Sequence, residues 1–193
     1  MIRINPGHRL VLVCRTDRSS KNAANAVFNA LTSQEQQTAS IIPLPCDHTS
    51  LDSVQSFIKQ LRRVLKETFD ATLWESSGID VLCLNAAVLK AKDSPATFTE
   101  DGLEMTFQTN ALSPFLIAYM TQDLMNQGGR IIVSTSGLYA HTKLQLDGII
   151  DGETKRANKG FEMIDGSKFH FKRSYALSKV CNVALTLFCN SAF

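Results

Sequence analysis

A chain of 193 residues, 44% hydrophobic and 20% charged, has the size and make-up of one globular domain with enough apolar side chain to bury a core. A formal net charge of +2 argues against a nucleic-acid or polyanion partner. The longest apolar stretch, around Phe115 to Met120, is far too short to span a membrane, and Met1 to His8 has no apolar segment of the secretory-signal kind.

Arg9 to Cys14 is a short Val/Leu-rich run after Pro6-Gly7 and predicts a buried strand. Ser19-Ser20 predicts the cap of a helix over about 21–31. Ile41 to Cys46 reads as a second strand. Pro43 and Pro45 cannot donate ladder hydrogen bonds, which places this strand at a sheet edge. Thr49 then predicts the cap of a long amphipathic helix, with Leu51, Val54, Phe57, Ile58, Leu61, Val64 and Leu65 on one face and Lys59, Arg62, Arg63 and Lys66 outside it. Ile79 to Leu84 is a third strand. Thr99, Glu100 and Asp101 open a helix expected to run to about Met125, where Gly128-Gly129 ends it before a fourth strand, Arg130 to Val133. Leu138 to Arg173 shows little periodicity and reads as an insertion. Ser174 predicts the cap of the last helix.

Strands alternating with helices predict an α/β fold: a parallel sheet, covered on both faces, in a single domain over 1–193. Cys14, Cys46, Cys83, Cys181 and Cys189 form no Cys-x-x-Cys pair, and His8, His48, His141 and His170 are scattered. The expectation is reduced, buried thiols in a reducing compartment, a cytoplasmic protein, and no metal site.

The residues that could carry chemistry come late. Tyr175 and Lys179 stand four apart in an apolar helical pattern, which puts a phenol and an ammonium one turn apart on one helix face. A nearby cation stabilises a phenolate, and a phenol tuned this way can exchange a proton with a substrate oxygen. A single Tyr-x-x-x-Lys also arises by chance, so its setting matters. In a doubly wound sheet, ligands sit beyond the carboxyl ends of the strands. Those ends here are Arg15, Asp47, Asn85-Ala86-Ala87 and Thr135-Ser136. Within the long helix, Pro114 removes the N–H that the Asn110 carbonyl would meet, predicting a kink. The freed carbonyl could hold a water, or the kink could serve packing alone.

These residues, in this order, resemble the short-chain dehydrogenase/reductase family, in the branch that contains retinol dehydrogenases and protochlorophyllide reductases. The resemblance runs along nearly the whole chain. The family's tetrad of Asn, Ser, Tyr and Lys is matched by Asn110, Ser136, Tyr175 and Lys179. Its Asn-Asn-Ala-Gly element appears altered as Leu84-Asn85-Ala86-Ala87, and its adenine-reading aspartate matches Asp47. Arg15 stands where an acidic residue would take a ribose 2′-hydroxyl. A guanidinium there suits a 2′-phosphate, so the implied cofactor is NADP(H); Arg18 reads equally as an assistant or as solvated surface. The resemblance implies hydride transfer between the nicotinamide and a small carbonyl or alcohol substrate. Tyr175 would act as general acid. Lys179 would lower its pKa and hold the nicotinamide ribose. Ser136 would polarise the carbonyl, and the Asn110 main-chain carbonyl would hold a water leading from Lys179 to solvent. Asn85, Ala86 and Ala87 would line the cofactor.

The family's Thr-Gly-x-x-x-Gly-x-Gly turn is absent from the sequence, and the first strand found matches the family's second. The expectation is therefore a partial Rossmann-like sheet, shortened at both ends, whose second and fourth family strands either pair directly or leave open edges. The alternative to an oxidoreductase is a non-catalytic remnant or interaction protein that keeps the tetrad by descent. A nucleotide-sugar epimerase also uses Tyr-x-x-x-Lys but fits the length and the Leu84–Ala87 element poorly.

Overall fold

In the computed structural model, which describes residues 9–68, 78–141, 166 and 169–192, two parallel strand pairs carry the architecture. β1 (Arg9–Cys14) pairs with β2 (Ser40–Pro45) from Arg9 opposite Ser40 to Cys14 opposite Pro45. β3 (Ile79–Leu84) pairs with β4 (Met125–Val133), with Leu82 opposite Ile131 and Leu84 opposite Val133. Among the described residues the two pairs are not hydrogen-bonded to each other. Of the two outcomes expected for a sheet without the family's first strand, the structure takes the open one.

A shared core holds the pairs together. It joins Leu44 of β2 and Cys46 just after it, Leu84 of β3, and the apolar face of α3 (Leu51–Thr68), where Val54, Phe57, Ile58, Leu61 and Leu65 are all buried. Each such side chain contributes about 1.5–3 kcal/mol by leaving water. Ile117 and Ala118 of α5 (Ser113–Thr121) and Leu185 and Cys189 of α6 (Phe171–Ala192) complete it. On the outer side, Arg62 grips both carboxylate oxygens of Asp123 at 2.7 and 2.8 Å and the Met120 carbonyl at 2.7 Å. The pairing raises the Arg62 pKa and lowers that of Asp123. Both side chains are exposed, so the bridge contributes at most about 1 kcal/mol.

The other face is covered unevenly. α1 (Asp17–Ala30) packs on β1 and β2, and its fully buried Ser20 hydroxyl donates to the Leu44 carbonyl at 2.8 Å while accepting from the Cys14 N–H at 3.1 Å. The equivalent face of β3 and β4 stays open: Val81 and Ile132 are 51% and 50% exposed, and Cys83 is exposed. This corrects the expectation of a sheet covered on both faces. It also corrects that of uniformly buried thiols. Burial does push the Cys46 thiol up to about 12 and that of Cys181 up to about 11.

Several element ends also move. α1 begins at Asp17 because Thr16 caps it, with Ser19 completing the reciprocal box. α2 (Ser33–Thr38) is an added short helix, capped by Thr32 and Glu35. Thr49 is held by Asp47, and the first amides of α3 go instead to Ser50 Oγ and to the Asp101 carboxylate. Residues 98–104 form a tight turn, so the next helix, α4 (Met105–Phe107), starts after Glu104, whose buried carboxylate accepts from the Thr106 and Phe107 amides. β4 starts at Met125, and Gly128, at φ 77°, takes the irregularity inside the strand rather than ending a helix. α6 opens at Phe171, three residues ahead of Ser174. Residues 137–141 form a single 3₁₀ turn; most of the expected 138–173 insertion lies outside the described residues.

The expected kink at Asn110 is a π-turn over Gln108–Leu112, in which the Ser113 N–H reaches back five residues to the Gln108 carbonyl. At this wider spacing the carbonyl left facing Pro114 is that of Thr109.

With α3 facing the core in this way, Phe57→Ala is expected to cost about 3–5 kcal/mol, while Lys59→Ala, two residues on and on the solvent face, stays within about 0.5 kcal/mol. Urea denaturation of the two variants checks it; equal losses would mean that α3 does not face the core as described.

Candidate active site

The π-turn brings three parts of the chain together. The Asn110 side chain is fully buried, and its Oδ1 accepts from the Val88 N–H at 2.7 Å. Its Nδ2 donates to the Val88 carbonyl at 2.9 Å and to Ser178 Oγ at 3.1 Å. Ser178 passes its own proton to the Tyr175 carbonyl at 2.7 Å. One amide thus ties the loop after β3 to the turn of α6 that carries Tyr175 and Lys179. Both of its donors and an acceptor are used, and each partner left bare by its removal would cost about 1–3 kcal/mol. On the other side, Ser113 Oγ donates to the His48 carbonyl at 2.8 Å, fastening the loop after β2.

Tyr175 and Lys179 meet as their spacing predicts: the Lys179 Nζ lies 5.6 Å from the Tyr175 ring centroid. Lys179 is only 2% exposed, and burial lowers its pKa. Its ammonium donates to the Ser134 carbonyl at 3.0 Å, which leaves N–H capacity for a further acceptor. The same carbonyl accepts from Asn182 Nδ2 at 3.1 Å, and Thr135 Oγ1 donates to the Lys179 carbonyl at 3.1 Å. The end of β4 is therefore pinned to α6 from both sides. Ser136 follows directly; its Oγ accepts from the Leu138 N–H at 3.4 Å, and α6 packs against this turn.

The remaining predicted residues lie at the strand ends. Asn85 Oδ1 accepts from Ser134 Oγ at 2.7 Å, joining the ends of β3 and β4. Ala86 and Ala87 are exposed and small, so a ligand can approach their backbone closely. Arg15 is exposed just past β1. Asp47 is half-buried, with Oδ1 taken by the Thr49 N–H at 2.9 Å and hydroxyl at 2.7 Å. Its carboxylate shapes its own loop as well as facing outward.

Sequence reasoning missed Ser134, Ser178, Asn182 and His48. Helical spacing could have found two of them, since Ser178 adjoins Lys179 and Asn182 lies three residues on. Ser134 acts through its backbone carbonyl, which has no sequence signature. Among the described residues, no cluster of metal-ligating side chains occurs, and no helix is long and apolar enough to cross a membrane.

Chemically, α6 sets a phenol beside an ammonium in a poorly solvated place, and the chain just past β4, next to Ser136, is bonded to Lys179. The family model for enoyl-(acyl carrier protein) reductase matches residues 5–145. Protochlorophyllide reductase B of Oryza sativa subsp. japonica is 30% identical over 197 residues, covering 90% of this chain and 42% of that protein. Retinol dehydrogenase 14 of Mus musculus is 27% identical over 187 residues, covering 93% and 48%. The chain thus spans less than half the length of these curated relatives. Among solved structures, a short-chain dehydrogenase from Burkholderia cenocepacia in complex with NADP superposes with a TM-score of 0.55 at 17% identity, covering 91% of this chain and 54% of that one. A landomycin C-6 ketoreductase with bound NADP and rabelomycin gives 0.58 at 20% identity, covering 94% and 58%. Family model, relatives and fold agree: the chain belongs to the short-chain dehydrogenase/reductase family and carries a partial form of its Rossmann-like fold.

Proposed function

We propose that the chain carries the catalytic residues of an NADP(H)-dependent oxidoreductase that interconverts a carbonyl and an alcohol. The observation that carries this is the convergence of Tyr175, Lys179 and Asn110 through hydrogen-bonded neighbours, with the buried Lys179 ammonium donating, among the described residues, to a backbone carbonyl alone. A buried cation without a carboxylate is costly and is retained where a ligand completes it. In this reading, its spare N–H groups receive the nicotinamide ribose hydroxyls. Arg15 takes the 2′-phosphate, Asp47 borders the adenine, and Asn85, Ala86 and Ala87 let the cofactor approach the ends of β3 and β4. When bound, NADPH supplies the hydride that no side chain can.

In reduction, Ser136 holds the substrate carbonyl oxygen by its hydroxyl, and Tyr175 gives that oxygen its phenolic proton. The Lys179 cation stabilises the phenolate left behind. The Asn110 main-chain carbonyl holds the water through which Lys179 reaches solvent, while its side chain keeps α6 in place. Oxidation runs the same proton path backward.

A second reading, a cofactor-free remnant that serves as an interaction protein, is favoured by two observations. The sequence has no glycine-rich phosphate turn, and among the described residues the two strand pairs are not joined. Cofactor binding separates the two readings.

Titration of the purified chain with NADPH, followed by nucleotide fluorescence, is expected to saturate below millimolar cofactor. Absence of binding at that concentration would exclude the oxidoreductase reading for this chain. With binding in hand, Tyr175→Phe is expected to lower turnover at least about a hundredfold while changing the NADPH dissociation constant by less than about threefold, since the phenyl ring keeps the packing. Arg15→Ala is expected to weaken NADPH by about tenfold or more and leave NADH unchanged, because only the former has a 2′-phosphate to lose. Equal weakening of both would remove Arg15 from the 2′-phosphate site.

A further inference from the structure

Gln108 opens the π-turn and lies outside the family tetrad, yet its side chain is fully buried. Both ends of its amide are used. Nε2 donates to Asp101 Oδ2 at 2.6 Å, and Oε1 accepts from Thr99 Oγ1 at 2.5 Å. The carboxylate needs a donor, which an ionised glutamate of the same length could not supply. The Gln108 backbone carbonyl meanwhile closes the π-turn by accepting from the Ser113 N–H. The partners are themselves held in a closed turn: the Thr99 N–H donates to the Leu103 carbonyl at 2.9 Å and the Gly102 N–H to the Thr99 carbonyl at 3.0 Å. The same Asp101 oxygen accepts from the Leu51 N–H at 2.9 Å. An anion therefore sits at the N-terminus of the 18-residue α3, where the helix dipole favours it. That end of α3 is tied to Asp47, whose N–H donates to Ser53 Oγ at 2.9 Å. A contiguous path of hydrogen bonds and backbone thus runs from Asp47, on the proposed adenine side, through the first turn of α3, Asp101 and Gln108, to the turn that presents Asn110 to Val88 and Ser178.

We propose that Gln108 and Asp101 are a pair of positioning residues. One carboxylate oxygen, shared between the first amide of α3 and the Gln108 amide, sets the spacing between the Asp47 loop and the π-turn and keeps Asn110 registered on Val88. The inference rests on the roles proposed above for Asp47 and Asn110, but its test needs no cofactor, so its failure is distinct from a failure of NADPH to bind.

The experiment is native-state amide hydrogen exchange of the full chain and of Gln108→Glu, Asp101→Asn and the double variant at neutral pH. Gln108→Glu keeps the shape but sets two acceptors face to face. The Val88 amide, which bonds Asn110 Oδ1, and the Ser113 amide, which closes the π-turn, are expected to exchange about tenfold faster in it, the equivalent of one lost hydrogen bond. The Ile58 and Leu61 amides inside α3 are expected to stay within about twofold. Asp101→Asn keeps an acceptor for both donors and is expected to change these rates by less than about threefold. The double variant moves the donor to the other partner, and it is expected to return Val88 and Ser113 to within about threefold of the parent. Two independent packing effects would add, whereas a shared bond makes the second substitution rescue the first. If Gln108→Glu does not fold alone, a folded double variant is the same rescue. Unchanged exchange at Val88 in Gln108→Glu would overturn the proposal. So would acceleration spread equally over Ile58 and Leu61, or a double variant no better folded or protected than Gln108→Glu.

Discussion

The site depends on one missing hydrogen. Pro114 cannot donate, so the helix that enters it cannot keep ordinary spacing and opens into a five-residue turn. That turn places Asn110 inward, fully buried, where its amide has three partners waiting. The loop after β3 and the Tyr175–Lys179 turn of α6 are thereby fixed to one side chain. With the loop after β2 fastened through His48, three chain segments distant in sequence meet at a single point. Polar networks of this kind stabilise only when every member is satisfied, which makes their geometry stringent.

The second constraint is electrostatic. Lys179 gives up most of its hydration to sit under Tyr175 and against the Ser134 carbonyl. A hydrophobic side chain of equal length would fill that space at less cost. A cation kept there at that cost fits the proton-exchange role proposed for it. The scaffold around it is unusual in the opposite sense. Two parallel pairs share one core on the α3, α5 and α6 side, yet among the described residues they are not hydrogen-bonded to each other, and Val81, Cys83 and Ile132 are exposed. The corner around Asn110 and Lys179 is tightly bonded, and among the described residues the sheet that supports it is open.

Much of this was legible in the residues. Arg9–Cys14 and Ile79–Leu84 are bounded apolar runs, and the structure begins and ends those strands at the same positions. The apolar stripe of α3 follows from its period. Helix starts were less legible because their caps come from elsewhere. Asp101 serves the first amide of α3 from fifty residues away, and Glu104 serves α4 from inside what reads as a continuous helix. Gly128-Gly129 looked like a helix stop because a bulge inside a strand uses the same residue. The spacing of Tyr175 and Lys179 revealed their contact, and Pro114 revealed a break near Asn110. The shift from kink to π-turn, the double use of the Ser134 carbonyl and the bond from Ser113 to the His48 carbonyl depend on backbone groups, and side-chain identities do not record them. The uncovered face of β3 and β4 depends on which elements pack there, a tertiary matter that alternation alone does not resolve.

In the proposed function, the strand ends and α6 form one wall of a nucleotide cleft. Nuclear magnetic resonance mapping of amide shifts during NADPH addition reads this site residue by residue. The changes are expected to cluster at Arg15, Asp47, Asn85 to Ala87, Ser134 to Ser136 and Tyr175 to Lys179. Changes confined to the outer faces of α1 and α2, or none at any cofactor concentration, would contradict it.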